Sequence, residues 1–145
     1  MEKEKLLEEK IREGFVPCFN NACQRREHCL RWQAREYVRT EPWVATCINP
    51  ANPEATGDTC LMYRDDQKVR IAYGFTRLLD QLPRRTGRLL MADIIAQHNR
   101  TYAYEYRNGT RPIPPRMQED IADTCRRAGY TAPVAFDRYE EGYEW

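Results

Sequence analysis

The sequence has no long hydrophobic run. No stretch approaches the roughly 20 apolar residues that a membrane-spanning helix requires, and the charged beginning, MEKEKLLEEKIREGF, contains no apolar segment of signal-peptide length. The composition, 41% hydrophobic and 31% charged, is that of a folded chain and not of a disordered one. We therefore expect a cytoplasmic protein of one domain or two small ones, without a membrane partner, whose thiols stay reduced.

Catalytic motifs are also missing. The chain contains no glycine-rich phosphate loop, no HExxH sequence and no pair of spaced carboxylates in a recognisable context. A cysteine combined with His28 or His98 is the only obvious nucleophile and base that the sequence offers, and neither histidine lies in a motif. The sequence predicts that the protein is not an enzyme.

Cysteine, in contrast, is concentrated in one short region. Five of the six cysteines lie within residues 18–60. The spacing Cys18-x4-Cys23 allows two thiolates to face one ion, and Cys29 adds a third ligand. The long loop would bring back Cys60 as the fourth ligand or, alternatively, Cys47. Zinc takes four ligands in a tetrahedral arrangement and can organise a segment that has little core of its own. The region therefore predicts a zinc site formed by Cys18, Cys23, Cys29 and Cys60.

The cysteine spacing leaves three other interpretations open, because the C-x2-C pair of common zinc knuckles is absent. An iron–sulfur cluster would also take four thiolates. The thiols could instead be small buried residues, or they could form disulfides, since six is an even number, although a reducing compartment disfavours disulfides. Cys125 lies on the apolar side of a later helix and is expected to fill the core, and His28 is expected at the surface.

The apolar pattern and the helix-ending residues predict a mainly α protein in three parts. Residues 1–64 form the cysteine-rich, metal-held module, with a helix in the first 13 residues, a second helix over Arg25–Val38 and a loop-rich stretch over residues 39–60. Residues 65–129 form a helical bundle. Residues 130–145 form an extended, acidic and aromatic tail that packs on the body.

Four helices are expected in the bundle. Asp66 is expected to cap a helix that ends at Pro83, and Thr86 is expected to cap the next one. Asn99 is a good cap for a third helix that ends at Asn108-Gly109, because these two residue types tolerate the left-handed conformation. The last helix carries Met117, Ile121 and Cys125 on one side.

Charge is unevenly distributed along the chain. Residues 1–63 carry 9 basic and 10 acidic side chains, residues 64–116 carry 11 basic and 5 acidic, and residues 117–145 carry 3 basic and 7 acidic. A basic middle indicates an anionic partner, or else an acidic tail that folds back onto it.

The segment LLMADIIAQHNRTYAYEYRNGTRPIPPRMQEDI, residues 89–121, resembles the helix-turn-helix of phage-repressor-type regulators. Leu90–Ala96 match the first helix and Asn99–Arg107 the recognition helix, although the glycine that is often found in the turn is absent. The resemblance implies binding to duplex DNA. The residues that would contact base edges or phosphates are Arg88, Arg100, Thr101, Tyr104, Arg107 and Arg111.

A structural interpretation of the same segment stays open. YAYEY could be an aromatic packing surface, and the arginines could be solvated or paired with the acidic tail FDRYEEGYEW. The alternative partner is then another protein and not nucleic acid.

Four blocks, PCFNNACQRREHCLR, GFTRLLDQLP, RTYAYEYRNGTRPIPP and FDRYEEGYEW, resemble an uncharacterised family of small cysteine-cluster proteins, a domain of unknown function, from gut Bacteroidetes. The resemblance implies a bacterial, cytoplasmic origin and a shared cysteine cluster. The prediction is a non-catalytic, metal-stabilised regulatory protein that binds DNA through its helix-turn-helix-like segment or, alternatively, a protein-interaction or structural adaptor.

Overall fold

The computed structural model describes residues 2–145 and divides them into two compact units. The first unit contains the residues up to Gln67 together with Tyr143–Trp145, and the second contains Lys68–Gly142. The described residues form six α-helices, three short 3-10 helices and one two-stranded sheet. The mainly α fold class is therefore confirmed. Across residues 2–145, every helix is too short or too polar to cross a membrane.

The first unit is built on two helices of very different length. Helix α1 spans Glu2–Arg12 and α2 spans Leu30–Gln33, with 3-10 turns at Arg26–His28, Ala34–Tyr37 and Gly57–Thr59. Leu7, Leu30 and Ala34 form its buried core. The partly buried residues against this core are Ile11, Phe15, Tyr37, Tyr143 and Trp145. The expected helix in the first 13 residues is confirmed over Glu2–Arg12, and residues 39–56 contain neither helix nor strand, as expected.

The expected continuous helix over Arg25–Val38 is wrong. Cys29 has extended backbone angles, φ −103° and ψ 119°, and separates a 3-10 turn from α2. The reason is pairing with a distant segment, because Cys29 forms an antiparallel β-bridge with Asp65. The Leu30 N–H donates to the Arg64 carbonyl at 2.8 Å, and the Asp66 N–H donates to the His28 carbonyl at 3.0 Å. These interstrand bonds replace helical ones.

The second unit combines four helices with a small sheet. Its elements are β1 (Val69–Tyr73), α3 (Thr76–Gln81), α4 (Arg84–Gln97), α5 (Arg100–Asn108), α6 (Pro115–Arg127) and β2 (Arg138–Gly142). The two strands pair antiparallel, with Val69 opposite Gly142 and Tyr73 opposite Arg138. Ala72 also forms a bridge to Ile113. The buried cluster between these elements is Ala72, Phe75, Leu78, Leu82, Leu90, Ile94, Ala103, Tyr106, Ile113, Ile121, Cys125 and Phe136.

The helix predicted from Asp66 to Pro83 is wrong in its first half. Val69–Tyr73 is a strand, and only Thr76–Gln81 is helical. VRIAY favours a strand through its β-branched and aromatic residues, and its partner β2 lies near the other end of the sequence. Gly74 then takes a φ of +75°, a conformation that ends the strand and that a residue with a side chain rarely adopts.

Two of the predicted caps are also wrong. Asp66 lies outside any helix, where its carboxylate accepts hydrogen bonds from Lys3 and Gln33, both at 2.9 Å. Thr86 is buried inside α4, which begins at Arg84 directly after Pro83. Proline before a helix has a backbone angle that suits the first turn, so the helix starts earlier than the polar residue indicated.

The caps of α5 are confirmed. The Asn99 side chain accepts a hydrogen bond from the Tyr102 N–H at 2.7 Å, and Gly109 ends the helix with a φ of +84°. Residues 130–145, which the sequence groups as a tail, are shared between the units. Within the second unit Asp137 reaches α3, where its carboxylate accepts from the Thr76 and Arg77 N–H groups at 2.9 and 3.0 Å.

Candidate metal centre

Four cysteines of the first unit line one small cavity. They are Cys18, Cys23, Cys29 and Cys60, the four residues that the sequence predicts as ligands. The cavity has a volume of about 20 Å³, which suits one atom or ion, since a single water needs about 10–15 Å³ measured in this way. All six cysteines of the chain are free thiols in the structure.

Backbone hydrogen bonds bring these four thiols together. The Cys18 N–H donates to the Arg31 carbonyl at 2.9 Å, which fixes the first cysteine segment against α2. The bridge between Cys29 and Asp65 lays the segment after Cys60 against the residues before α2. The Ile48 N–H donates to the Pro17 carbonyl at 2.9 Å and draws the long loop over the same region. The cysteines therefore converge through contacts between segments that are distant in sequence.

The Cys23 sulfur is surrounded by hydrogen-bond donors. The Gly57 N–H donates to this sulfur at 3.3 Å, and the Arg25 N–H and the Thr56 hydroxyl donate to it as well. Burial, the largest single influence, opposes ionisation, yet these donors and the Arg25 cation together lower the pKa of Cys23. These donors and the Arg25 cation thus favour the thiolate form of this sulfur over its thiol form.

The Cys18 thiol has the opposite tendency. Burial raises its pKa, and the neighbouring thiols of Cys29, Cys23 and Cys60 add to the rise, while a hydrogen bond from the Asn20 N–H opposes it. Four thiolates without a cation would repel one another. A positive charge that entered the cavity would relieve this repulsion.

Arg31 is buried beside the thiols, with an exposed fraction of 7%. Its Nε donates to the Met62 carbonyl and its Nη1 to the Val16 carbonyl, both at 2.8 Å. Its guanidinium lies 4.4 Å from the centroid of the Phe15 ring. Sequence reasoning missed this residue, because an arginine between Leu30 and Trp32 has no local pattern that distinguishes it from a solvated one.

The family of unknown function DUF6078 matches residues 1–145. The chain belongs to this family. No curated protein and no solved structure is significantly similar to it. The resemblance to a family of unknown function is thus confirmed, and the chemistry of the DUF6078 chain has to be argued from its own geometry.

Four cysteines of this DUF6078 chain line the cavity, but they are not arranged as the complete set of ligands of a metal ion. Among residues 2–145, no group of three or more histidine, cysteine, aspartate or glutamate side chains is arranged so that it could hold a metal ion as it stands. Cys47, the alternative ligand, is not among the residues that line the cavity. Cys125 lies in the core of the second unit, and the side chain of His28 is 72% exposed, with its Nδ1 3.5 Å from Asp66.

The predicted DNA-contacting residues of the DUF6078 chain fall into two groups. Arg88 on α4 and Arg100, Thr101 and Tyr104 on α5 are exposed. Two arginines contact their own unit instead. Arg107 stacks on Tyr104 at 4.5 Å and donates to Asn108. Arg111 bonds to Glu105 at 2.7 Å and lies 3.6 Å from the Tyr102 ring.

Proposed function

We propose that Cys18, Cys23, Cys29 and Cys60 bind one zinc ion, and that the protein is a non-catalytic, metal-stabilised binding protein. The convergence of these four thiols on one cavity is the observation that carries the proposal. Four thiolates match the closed, tetrahedral ligand set of structural zinc sites. Such sites contribute folding free energy to segments that lack a large core.

Four thiolates are also the ligand set of an iron–sulfur cluster, and elemental analysis distinguishes that alternative from a single zinc ion. Tetrahedral coordination with Zn–S bonds of about 2.3 Å places the sulfurs about 3.8 Å apart. Zinc binding therefore requires the thiols to lose their protons and draw together around the ion.

The core of the first unit also supports a metal-held fold. Within residues 2–145, its buried hydrophobic cluster consists of Leu7, Leu30 and Ala34. The loop over residues 39–56 contains no helix or strand of its own. An ion that joins Cys60, beyond this loop, to three earlier cysteines would restrain the loop at both ends.

Elemental analysis of the purified chain tests the zinc proposal. We expect about one zinc per chain, and a Co²⁺-substituted protein with the charge-transfer bands of a tetrathiolate site. Cys23→Ser and Cys60→Ser should lose the metal. Cys47→Ser is the matched control, because Cys47 lies in the same unit but does not line the cavity.

Three outcomes would contradict the proposal. Less than about a third of an equivalent of zinc in the wild type would exclude stable binding. Iron together with acid-labile sulfide would indicate a cluster instead of a single ion. Loss of metal in Cys47→Ser but not in Cys60→Ser would show that the wrong fourth ligand has been chosen.

A second proposal concerns duplex DNA. Helices α4 and α5 are joined by only two residues, and Arg100, Thr101 and Tyr104 are exposed together in the first half of α5. This arrangement supports a regulatory role in which α5 contacts a duplex. The buried side of α5 is formed by Ala103 and Tyr106.

Fluorescence anisotropy with labelled duplex DNA at low salt tests this second proposal. Wild-type binding should weaken as salt rises, and Arg100→Ala should reduce the affinity and the salt slope, since each phosphate contact releases counterions. Arg126→Ala on α6 is the control, because this exposed arginine already pairs with Asp123. Absence of binding at micromolar protein would favour the alternative, a protein-interaction or adaptor role.

A further inference from the structure

We propose that Arg31 is the positioning residue of the cysteine site, and that its buried cation compensates the negative charge of the metal-bound thiolates. The inference rests on the proposed zinc site and names a residue that controls it. Arg31 follows Cys29 by two positions and lines the same cavity as the four thiols.

The hydrogen bonds of Arg31 connect three segments that carry cysteines. Val16, which accepts from Nη1, precedes Cys18 by two residues, and Met62, which accepts from Nε, follows Cys60 by two residues. The Arg31 carbonyl also accepts the Cys18 N–H at 2.9 Å. A single side chain and its own peptide group therefore fix the backbone beside three of the four proposed ligands.

The charge of Arg31 has no carboxylate to balance it. Among residues 2–145, no aspartate or glutamate forms an ion pair with Arg31 or with the neighbouring Arg64. The Arg64 Nε is buried and has no hydrogen-bond partner within the same range. Backbone carbonyls solvate a guanidinium only in part, so the buried Arg31 cation is costly unless an anion lies near it.

A metal tetrathiolate supplies that anion. A divalent ion with four thiolates has a net charge of −2, and the buried guanidinium of Arg31 lines the same cavity. The loaded site therefore places an anionic group beside a cation that forms no ion pair with a carboxylate among residues 2–145. Groups outside the ligand set that orient or tune the ligands commonly change metal affinity by about 10- to 100-fold, and we expect an effect of this size for Arg31.

Two substitutions separate charge from simple hydrogen bonding. Arg31→Lys keeps the cation and Arg31→Gln removes it, while neither can bridge the Val16 and Met62 carbonyls as arginine does. Charge compensation predicts that Arg31→Lys binds zinc at least about tenfold more tightly than Arg31→Gln, and that Arg31→Gln is about 10- to 100-fold weaker than wild type. A purely structural clamp predicts equal impairment of the two variants.

The affinities are measured on the full chain by competition with a chromogenic zinc chelator, with Co²⁺ spectra as a second readout. Arg35→Gln is the control, because Arg35 stacks on Trp32 at 3.4 Å and does not line the cavity. If Arg31→Gln folds only with zinc, the zinc concentration that restores the tryptophan signal gives its affinity. Equal zinc affinities of Arg31→Lys and Arg31→Gln, or wild-type affinity in Arg31→Gln, overturn the inference. A wild type that binds no metal overturns the proposed function itself.

Discussion

Removal of zinc is predicted to unfold the first unit while the second unit stays folded. The perturbation is a strong chelator added to the purified protein, or the variant Cys23→Ser as a permanent equivalent. Among residues 2–145, the buried hydrophobic cluster of the first unit has three members, whereas that of the second unit has twelve. We therefore expect the proposed ion to stabilise the first unit and to leave the second unit unaffected.

The magnitude follows from the size of the first core. Complete burial of Leu7 or Leu30 stabilises the fold by about 1.5–3 kcal/mol each. An ion present at 1,000 times its dissociation constant stabilises the folded state by about 4 kcal/mol through mass action alone. Loss of zinc should therefore cost the first unit about as much as truncation of one of these leucines to alanine, which typically costs about 2–5 kcal/mol. A change of about 4 kcal/mol is comparable to the whole stability of a small domain.

The positions of the tryptophans make the assay selective. All three tryptophans, Trp32, Trp43 and Trp145, lie in the first unit. Trp145 packs edge-on against Phe15 with ring centroids 5.3 Å apart, and Trp32 lines the cysteine cavity. Trp43 is fully exposed and should change little. Tryptophan fluorescence during urea titration thus follows the first unit, whereas far-UV circular dichroism receives its larger part from the four helices of the second unit and a smaller part from α1.

Chelation should shift the fluorescence transition to lower urea and leave most of the circular dichroism transition in place. Readdition of one equivalent of zinc should return the fluorescence transition to its original urea concentration. Cys47→Ser should behave as the wild type does. The reasoning is refuted if the fluorescence midpoint does not move on chelation although elemental analysis shows that the metal has left.

Three smaller predictions concern stability and need no metal. The pKa of Asp66 is about 2, since the Gln33 amide and the Lys3 ammonium outweigh the effect of burial. A carboxylate with a lowered pKa stabilises the fold above its unfolded pKa, which is near 4. Asp66→Asn should therefore lower the free energy of unfolding by about 2 kcal/mol at pH 7, as measured by urea titration. The difference in stability between the variant and the wild type should vanish as the pH falls from 4 towards 2. Gly74→Ala should destabilise by at least about 1 kcal/mol, because φ is +75° and the new Cβ would lie 2.6 Å from Asp137 Oδ2; an unchanged melting temperature would contradict this. Asn99→Ala should cost about 1 kcal/mol through loss of the α5 cap, and Asn99→Ser should recover most of it.

The sequence was informative wherever structure depends on neighbouring residues. Helix α5 was predicted with its two ends because Asn99 and Gly109 act locally, through a side-chain cap and a left-handed backbone. Strand β1 was missed because its partner β2 begins 65 residues after β1 ends. Apolar residues at Val69 and Ala72 fit a helix as well as a strand, and only the distant partner decides between them.

The grouping of the four cysteines was predictable from the sequence, but their surroundings were not. Their clustering in the chain led to the prediction of Cys18, Cys23, Cys29 and Cys60 as ligands, and these four residues line one cavity in the structure. Arg31 could not be found in this way. Its importance depends on the Val16 and Met62 carbonyls, which come from other segments and have no identifying side chains.

The main error in the first unit also explains how the four thiols come together. In a continuous helix over Arg25–Val38, the backbone of Cys29 would bond only within the helix. In the structure the extended Cys29 pairs with Asp65. Cys60 precedes Asp65 by five residues, so this pairing brings Cys60 back towards Cys29 at the end of the long loop. Asp66, bonded to Lys3 and Gln33, then holds the end of the returning segment. The interruption of the helix is therefore the local change that allows a fourth sulfur to reach the cavity, and substitutions that stabilise a continuous helix at Cys29 should weaken zinc binding without touching a ligand.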